Sequence, residues 1–221
     1  MRIFVIVLLI YSFFSTLLTV LLISKIKNLK GASSVAIPTV EMNEVFEIDI
    51  QDIPFTTAEV TPITIVGFTD FGCKACAKGS DNLRRLLCQF PGKIRVGYKI
   101  FPSLSNQQSV SAATAALAAY RQGHFWEMEE ALFRNRDSLG GALYQKIAAS
   151  LHLDMTAFNA EKEPELWLAY LKVQKGEAQM LGIEIVPTYF VNGIKVEGSN
   201  YQVLESTVRQ VMKASGFEID H

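Results

Sequence analysis

Two of the chain's three cysteines, Cys73 and Cys76, stand two residues apart in the stretch VGFTDFGCKACAKGSDNL, residues 66–83. A C-x-x-C spacing serves zinc ribbons, haem attachment and thiol exchange alike, so the surroundings must decide between them. A four-coordinate zinc needs a second pair of ligands at suitable spacing. Outside the pair there are only Cys88, His124, His152 and His221, which form no such motif. Haem attachment requires histidine directly after the second cysteine, and Ala77 is there. An inert disulfide over so short a loop would strain a helix start.

The elements around the pair give it a position. Residues 62–69, PITIVGFT, form a β-rich run of the length of a buried central strand. A helix is expected next. At about 100° per residue Cys76, Leu83, Leu86, Leu87 and Phe90 share one face, which puts Cys73 at or just before the first turn. Unpaired N–H groups at a helix start carry partial positive charge, and the thiolate is the reactive form of cysteine. Cys73 is therefore expected to attack, and Cys76, one turn inward, to stay protonated until it resolves a mixed disulfide. Lys74 adds a nearby cation worth about 1 kcal/mol at ~4 Å in a water-like medium. Asp70 either opposes this or accepts the proton of Cys76. Cys88, outside the apolar stripe, is expected to be a plain buried or half-buried thiol, since free cysteine behaves as a small hydrophobe.

Pro91-Gly92 ends this helix, and residues 94–101, IRVGYKIF, supply a second strand and so a βαβ unit with a right-handed crossover. A helical region runs from about residue 102 to 185. Ser105 to Gln108 fits a capping box ahead of the alanine-rich SVSAATAALAAYRQ, which Gly123 closes. Residues 125–133 are amphipathic, with His124, Trp126 and Met128 read as packing. More helices are expected near 142–151, 155–160 and 164–181. Residues 187–196, PTYFVNGIKV, carry Asn192-Gly193, the preferred pair for a type I′ hairpin turn. An amphipathic helix over 201–214 closes the chain.

Residues 3–24 are uncharged and as long as the roughly 20 residues that cross a bilayer. That exceeds the usual apolar region of a cleaved signal, and Lys25, Lys27 and Lys30 follow at once, so residues 1–25 are expected to be a membrane anchor. Residues 26–61 read as a tether with a possible first strand within 45–50, and 62–216 as the folded domain. With Lys+Arg 21 against Asp+Glu 22, no basic excess calls for nucleic acid.

Strand, C-x-x-C opening a helix, strand, helical region, Val-Pro before a hairpin, terminal helix: this order resembles the thioredoxin superfamily, and within it the DsbA-like branch. The residues that carry the resemblance are FTDFGCKACAK, GHFWEMEEALF and GIEIVPTYFVNG. It implies a thioredoxin fold with an inserted helical domain, preceded here by the N-terminal transmembrane helix. It also implies a cis proline at Pro187 opposite the dithiol, with the Val186, Pro187 and Thr188 backbone meeting substrate. The activity implied is thiol:disulfide exchange without a cofactor or metal, on cysteines of exported proteins, with a membrane redox partner recycling the pair. The Lys74-Ala75 dipeptide departs from the proline, histidine or tyrosine frequent in relatives and leaves the redox poise open. Val186 before the proline resembles the oxidase pattern more than the threonine typical of isomerases, and a reductase or isomerase is the alternative reading. A non-catalytic tethered polypeptide-binding module is the reading from another class. Three lysines after the span favour a cytoplasmic domain, but disulfide exchange belongs in an oxidising compartment, so the domain is expected on the periplasmic side of the cytoplasmic membrane.

Overall fold

The computed structural model describes residues 44–217. The expected membrane anchor and the first half of the tether lie outside the described residues. Among the described residues, no helix is long and apolar enough to cross a membrane.

A four-stranded sheet in the order β2-β1-β3-β4 organises the domain. β1 (Ile63–Thr69) and β2 (Ile94–Ile100) are rich in Ile and Val and buried on both faces, as parallel strands under helices must be. They pair in parallel from Ile63 opposite Ile94 to Thr69 opposite Ile100, joined through α1 (Lys74–Gln89). β3 (Thr188–Val191) runs antiparallel to β1 and forms a hairpin with β4 (Ile194–Glu197). At its tip Asn192 has φ 45° and Gly193 φ 87°, the pair of positive values a type I′ turn requires. Five helices fill the stretch between β2 and β3: α2 (Gln107–Arg121), α3 (Phe125–Arg134), α4 (Gly141–Ser150), α5 (Met155–Glu161) and α6 (Pro164–Met180). α7 (Tyr201–Ala214) returns to the sheet with Leu204, Val208 and Val211 buried.

Because strand side chains alternate, the sheet has two unlike faces. One carries Ile63, Ile65, Tyr98, Tyr189 and Val191 into the main core with α1, α7 and the helical region. The other carries Phe68 and Phe190, packed against Ala178 and Ile183 with Phe46 edge-on to Phe190 at 5.5 Å. α2 is buried along Ala112 to Ala119, whose small side chains let neighbouring helices approach closely.

Two local expectations are corrected. Residues 45–50 form no strand. Phe46 and Ile48 pack on the second face instead, and only the Phe46 N–H reaches the sheet, donating to the Gly193 carbonyl at 2.9 Å. Pairing occurs later, at Phe55 opposite Gly97 on the outer edge of β2, with Thr56 N–H donating to Val96 and Tyr98 N–H to Pro54. It stays a single bridge, since Pro54 has no N–H to extend a ladder. The cap of α2 is Asn106 rather than Ser105: its side chain accepts from the N–H groups of Gln108 and Ser109 at 3.0 and 3.4 Å, while Ser105 Oγ faces Ser103 Oγ.

Candidate functional site

Cys73 is the N-cap of α1, in extended backbone, and its Sγ accepts the Cys76 N–H at 3.4 Å. The sulfur thus takes the place a serine or aspartate oxygen fills at an ordinary cap. It also lies 3.6 Å from the Val186 carbonyl oxygen. Cys73 is half-buried and Cys76 fully buried. The Val186–Pro187 peptide is cis, which sets the chain before β3 directly over the helix start.

The thiols are pushed in opposite directions. Cys73 is lowered from 9.0 to about 6, first by the hydrogen bond from the Cys76 thiol, and next, against the cost of burial, by the backbone N–H groups of Cys76 and Ala75. Asp70 opposes the shift through its negative charge. Cys76 is raised, first because its thiol donates to Cys73 and then by burial. The cation expected to help Cys73, Lys74, is exposed beside exposed Ala75 and is not what lowers the thiol.

Asp70 holds the loop before the helix. Its Oδ1 accepts the Gly72 N–H at 2.8 Å and Oδ2 accepts the Ser103 N–H at 3.1 Å, so both oxygens are used by backbone. Of the two roles expected of Asp70, opposing the Cys73 thiolate is the one its charge plays. Thr188 is fully buried, with its hydroxyl donating to the Ile185 carbonyl at 2.8 Å; it shapes the loop from within. Val186 is partly exposed and borders a groove of about 610 Å³ lined by Phe101, Pro102, Leu104, Lys175 and Glu184, while neighbouring Ile185 is 50% exposed. Cys88 is exposed, against expectation. The buried stripe of α1 is Cys76, Gly79, Ser80, Leu83 and Leu86, and Cys88 points away from it.

One group of residues was not anticipated from the sequence. Glu129 on α3 is fully buried, accepts the Ser80 hydroxyl at 2.5 Å and pairs with Arg84, whose guanidinium also donates to Ser80 at 2.7 Å. Burial raises the Glu129 carboxyl from 4.5 to about 7 even against the Arg84 charge. A signal was present. Glu129 follows Phe125 by four residues and precedes Leu132 by three, inside the apolar stripe of α3, and Ser80 sits in the same way between Cys76 and Leu83.

A helix-start dithiol facing a cis proline, on a sheet interrupted by a helical segment, defines a thioredoxin-fold protein of the DsbA-like class. The family model described as thioredoxin matches residues 56–210, and the chain belongs to that family. Among solved structures, alpha-DsbA1 of Wolbachia pipientis superposes with a TM-score of 0.66 at 17% identity, over 76% of this chain and 94% of that one. Oxidised BdbD of Bacillus subtilis gives 0.67 at 20% identity, over 76% and 97%. A thioredoxin-like oxidoreductase of Silicibacter pomeroyi gives 0.61 at 25% identity, over 74% and 92%. Curated relatives carry another name. The Na(+)/H(+) antiporter NhaA 3 of Salinispora tropica is 29% identical over 168 residues, 72% of this chain and 26% of that protein. NhaA 1 of Salinispora arenicola is 31% identical over 149 residues, 66% of this chain and 23% of that protein. The chain spans about a quarter of the length of these relatives.

Proposed function

We propose that this thiol:disulfide oxidoreductase of the DsbA-like type works as an oxidase of cysteine pairs in exported proteins. Catalysis runs through Cys73 and Cys76, in a domain held outside the cytoplasmic membrane by residues 3–24 and re-oxidised by a membrane redox partner. A substrate thiolate attacks the Cys73 sulfur of the Cys73–Cys76 disulfide and expels Cys76. The substrate's second thiolate attacks the mixed disulfide, its own disulfide forms, and Cys73 leaves as a thiolate. Two electrons pass to the pair. The groove beside Val186, lined by Phe101, Pro102 and Leu104 together with Lys175 and Glu184, suits an extended segment of mixed character next to the reacting sulfur.

The observation that carries the direction is the Cys73 sulfur at the N-cap of α1, accepting the Cys76 N–H at 3.4 Å, where a thiolate is stabilised and the thiol lowered. A thiolate stabilised in the reduced protein makes the pair a better oxidant. At about 6, Cys73 is more acidic than the thioredoxin thiol at ≈ 7 and less so than that of DsbA at ≈ 3.5. The expected potential therefore lies between roughly −270 and −120 mV. Equilibration of the full chain with glutathione buffers, followed by mass mapping of the pair, measures it. A potential at or below roughly −270 mV would make the chain a reductase. In parallel, Cys76→Ser should accumulate mixed disulfides through Cys73, and Cys73→Ser should trap none. Equal trapping by both variants would remove the assigned division of labour. Protease added to intact spheroplasts should digest the domain, and full protection would overturn the topology.

A further inference from the structure

When the Cys73–Cys76 bond is broken by attack on Cys73, its electron pair goes to the Cys76 sulfur, and negative charge develops in a dry core where an unassisted anion carries a heavy desolvation cost. Thr69 stands where that charge appears. It is the last residue of β1, 1% exposed, and follows Ile63, Ile65 and Gly67 at alternate positions. Its side chain is therefore on the main-core face of the sheet, the face that α1 covers with Cys76. The backbone of Thr69 is fully engaged: it pairs with Ile100, and its carbonyl accepts the Phe101 N–H at 2.8 Å. The hydroxyl is not. The other buried threonines, Thr114, Thr188 and Thr207, donate to backbone carbonyls at 3.1, 2.8 and 2.8 Å, whereas the Thr69 hydroxyl is buried with no hydrogen-bond partner. The group it acts on is Cys76. That thiol is pushed up by its bond to Cys73 and by burial, and the Asp70 backbone and the Thr69 hydroxyl oppose the push, so both favour the anion. In the resting protein Cys76 is a neutral thiol whose proton goes to Cys73, and the Thr69 contact stays loose. Catalytic hydrogen bonds are often long at rest and tighten as charge develops.

We propose that Thr69 is a catalytic residue of the exchange, its hydroxyl closing with the Asp70 N–H on the Cys76 sulfur as that sulfur becomes the leaving group. The inference rests on the dithiol reading above. A substrate thiolate bonds to the Cys73 sulfur, the Cys73–Cys76 bond breaks, and its electron pair stays on Cys76. Thr69 keeps its proton and only turns its O–H toward the sulfur. When the pair is re-oxidised the step runs backwards: the Cys76 thiolate, held by the same two donors, attacks the Cys73 sulfur of a mixed disulfide and expels the partner's thiolate. A hydroxyl with no partner at rest gives nothing up when it closes on the sulfur, so its effect falls on the transition state rather than on either ground state. Such a donor speeds opening and closing of the disulfide alike and leaves the equilibrium where it was. The two thiols are thus served separately, Cys73 by the helix start and Cys76 by the end of β1.

The test compares the full chain with Thr69→Val, which keeps the shape and removes the hydroxyl, and Thr69→Ser, which keeps the hydroxyl. Reduction of the oxidised chain by glutathione at fixed pH should slow by about tenfold or more in Thr69→Val, the loss expected of one hydrogen bond to a charged group, and stay close to the wild-type rate in Thr69→Ser. Closing of the Cys73–glutathione mixed disulfide, followed by acid quenching and mass, should slow by the same factor, so the redox potential should not move. The urea midpoint of Thr69→Val should be no lower than the wild type's, because the lost hydroxyl leaves no partner unpaired. Unchanged rates in Thr69→Val overturn the inference. So does a slowing that comes with a lower urea midpoint or a shifted potential, since either would make the role of Thr69 one of ground-state structure. If Thr69→Val does not fold, the wild type alkylated at Cys73 decides: the labelled Thr69 Cβ resonance should shift as Cys76 ionises, and a resonance that stays fixed overturns the contact. Absence of a Cys73–Cys76 disulfide in the peptide map of the oxidised chain would instead overturn the dithiol reading itself.

Discussion

The sheet carries a buried ion pair on each face, and they differ in what surrounds them. On the second face Lys99 of β2 is paired with Glu177 of α6, their side chains 1% and 13% exposed, and Glu177 also accepts the Asp49 N–H at 3.2 Å. This pair fastens α6 and the segment before the sheet to the edge strand. On the main-core face Glu129 is paired with Arg84, whose side chain is 35% exposed, and it has a hydroxyl on one side and a cavity on the other. The same chemical inventory is a clamp in one place and a titrating group in the other. What separates them is the partner's exposure: Lys99 is buried with its acid, whereas Arg84 is 35% exposed and leaves the buried Glu129 carboxyl raised by burial.

The largest effect expected from this contrast is on the clamp. Lys99→Met leaves Glu177 without its cation and should cost about 3–5 kcal/mol in denaturant unfolding. The pH dependence of Cys73 alkylation should remain that of the wild type. A shift of that profile would show that the two faces are coupled.

Next comes the pH dependence of stability. Glu129 is raised from 4.5 to about 7 by burial, so between those values the folded chain holds a proton that the unfolded chain has released. Stability from this group is present at low pH and lost as pH rises through that window, by up to about 3 kcal/mol. Glu129→Gln should flatten the slope, as read from urea midpoints at a series of pH values. A slope equal to the wild type's would assign the titration to another group.

Cys73 contributes in the opposite sense. In the reduced protein its thiol is lowered from 9.0 to about 6, so its contribution is fully present above 9 and disappears as pH falls through 6. The reduced chain should therefore gain stability relative to Cys73→Ser as pH rises across that range, and Cys73 alkylation should show its midpoint near 6, with Cys76 reacting far more slowly. Equal reactivity of the two thiols would sink the capping geometry.

The smallest effects lie away from both pairs. Asn106→Ala removes the two bonds that cap α2 and should cost about 1 kcal/mol in urea unfolding. Cys88→Ser, on the exposed face of α1, should stay within about 0.5 kcal/mol and leave the glutathione equilibrium unchanged.

These features were unequally visible in the sequence. The strands, the helix behind the dithiol, the Asn192-Gly193 turn and the terminal helix declare themselves through short-range patterns, because apolar spacing and turn chemistry are local. The position of Cys73 followed from the same spacing, but the agents acting on it did not. Lys74 is adjacent in sequence yet points to solvent, whereas the Cys76 thiol, one turn on, does most of the lowering. Ser80 and Glu129 are 49 positions apart, and each alone reads as one polar residue on an amphipathic helix. Only the packing of α3 on α1 turns them into a pair. Cys88 was misread because the usual burial of free cysteine was given more weight than its helix angle, which placed it outside the stripe.

The single bridge at Phe55 bears on where another strand could add to the sheet. An unpaired strand edge is a template on which a second chain can add. The outer edge of β2 is occupied by residues 53–56 through Thr56 to Val96 and Tyr98 to Pro54. The opposite edge is the four-residue β4, where the Lys195 ammonium spans to Glu197 and to the Gly182 carbonyl, a short and charged border of the kind that discourages such addition. A chain begun at residue 62 would keep Cys73, Cys76 and Pro187 and leave the β2 edge unpaired, open to an added strand.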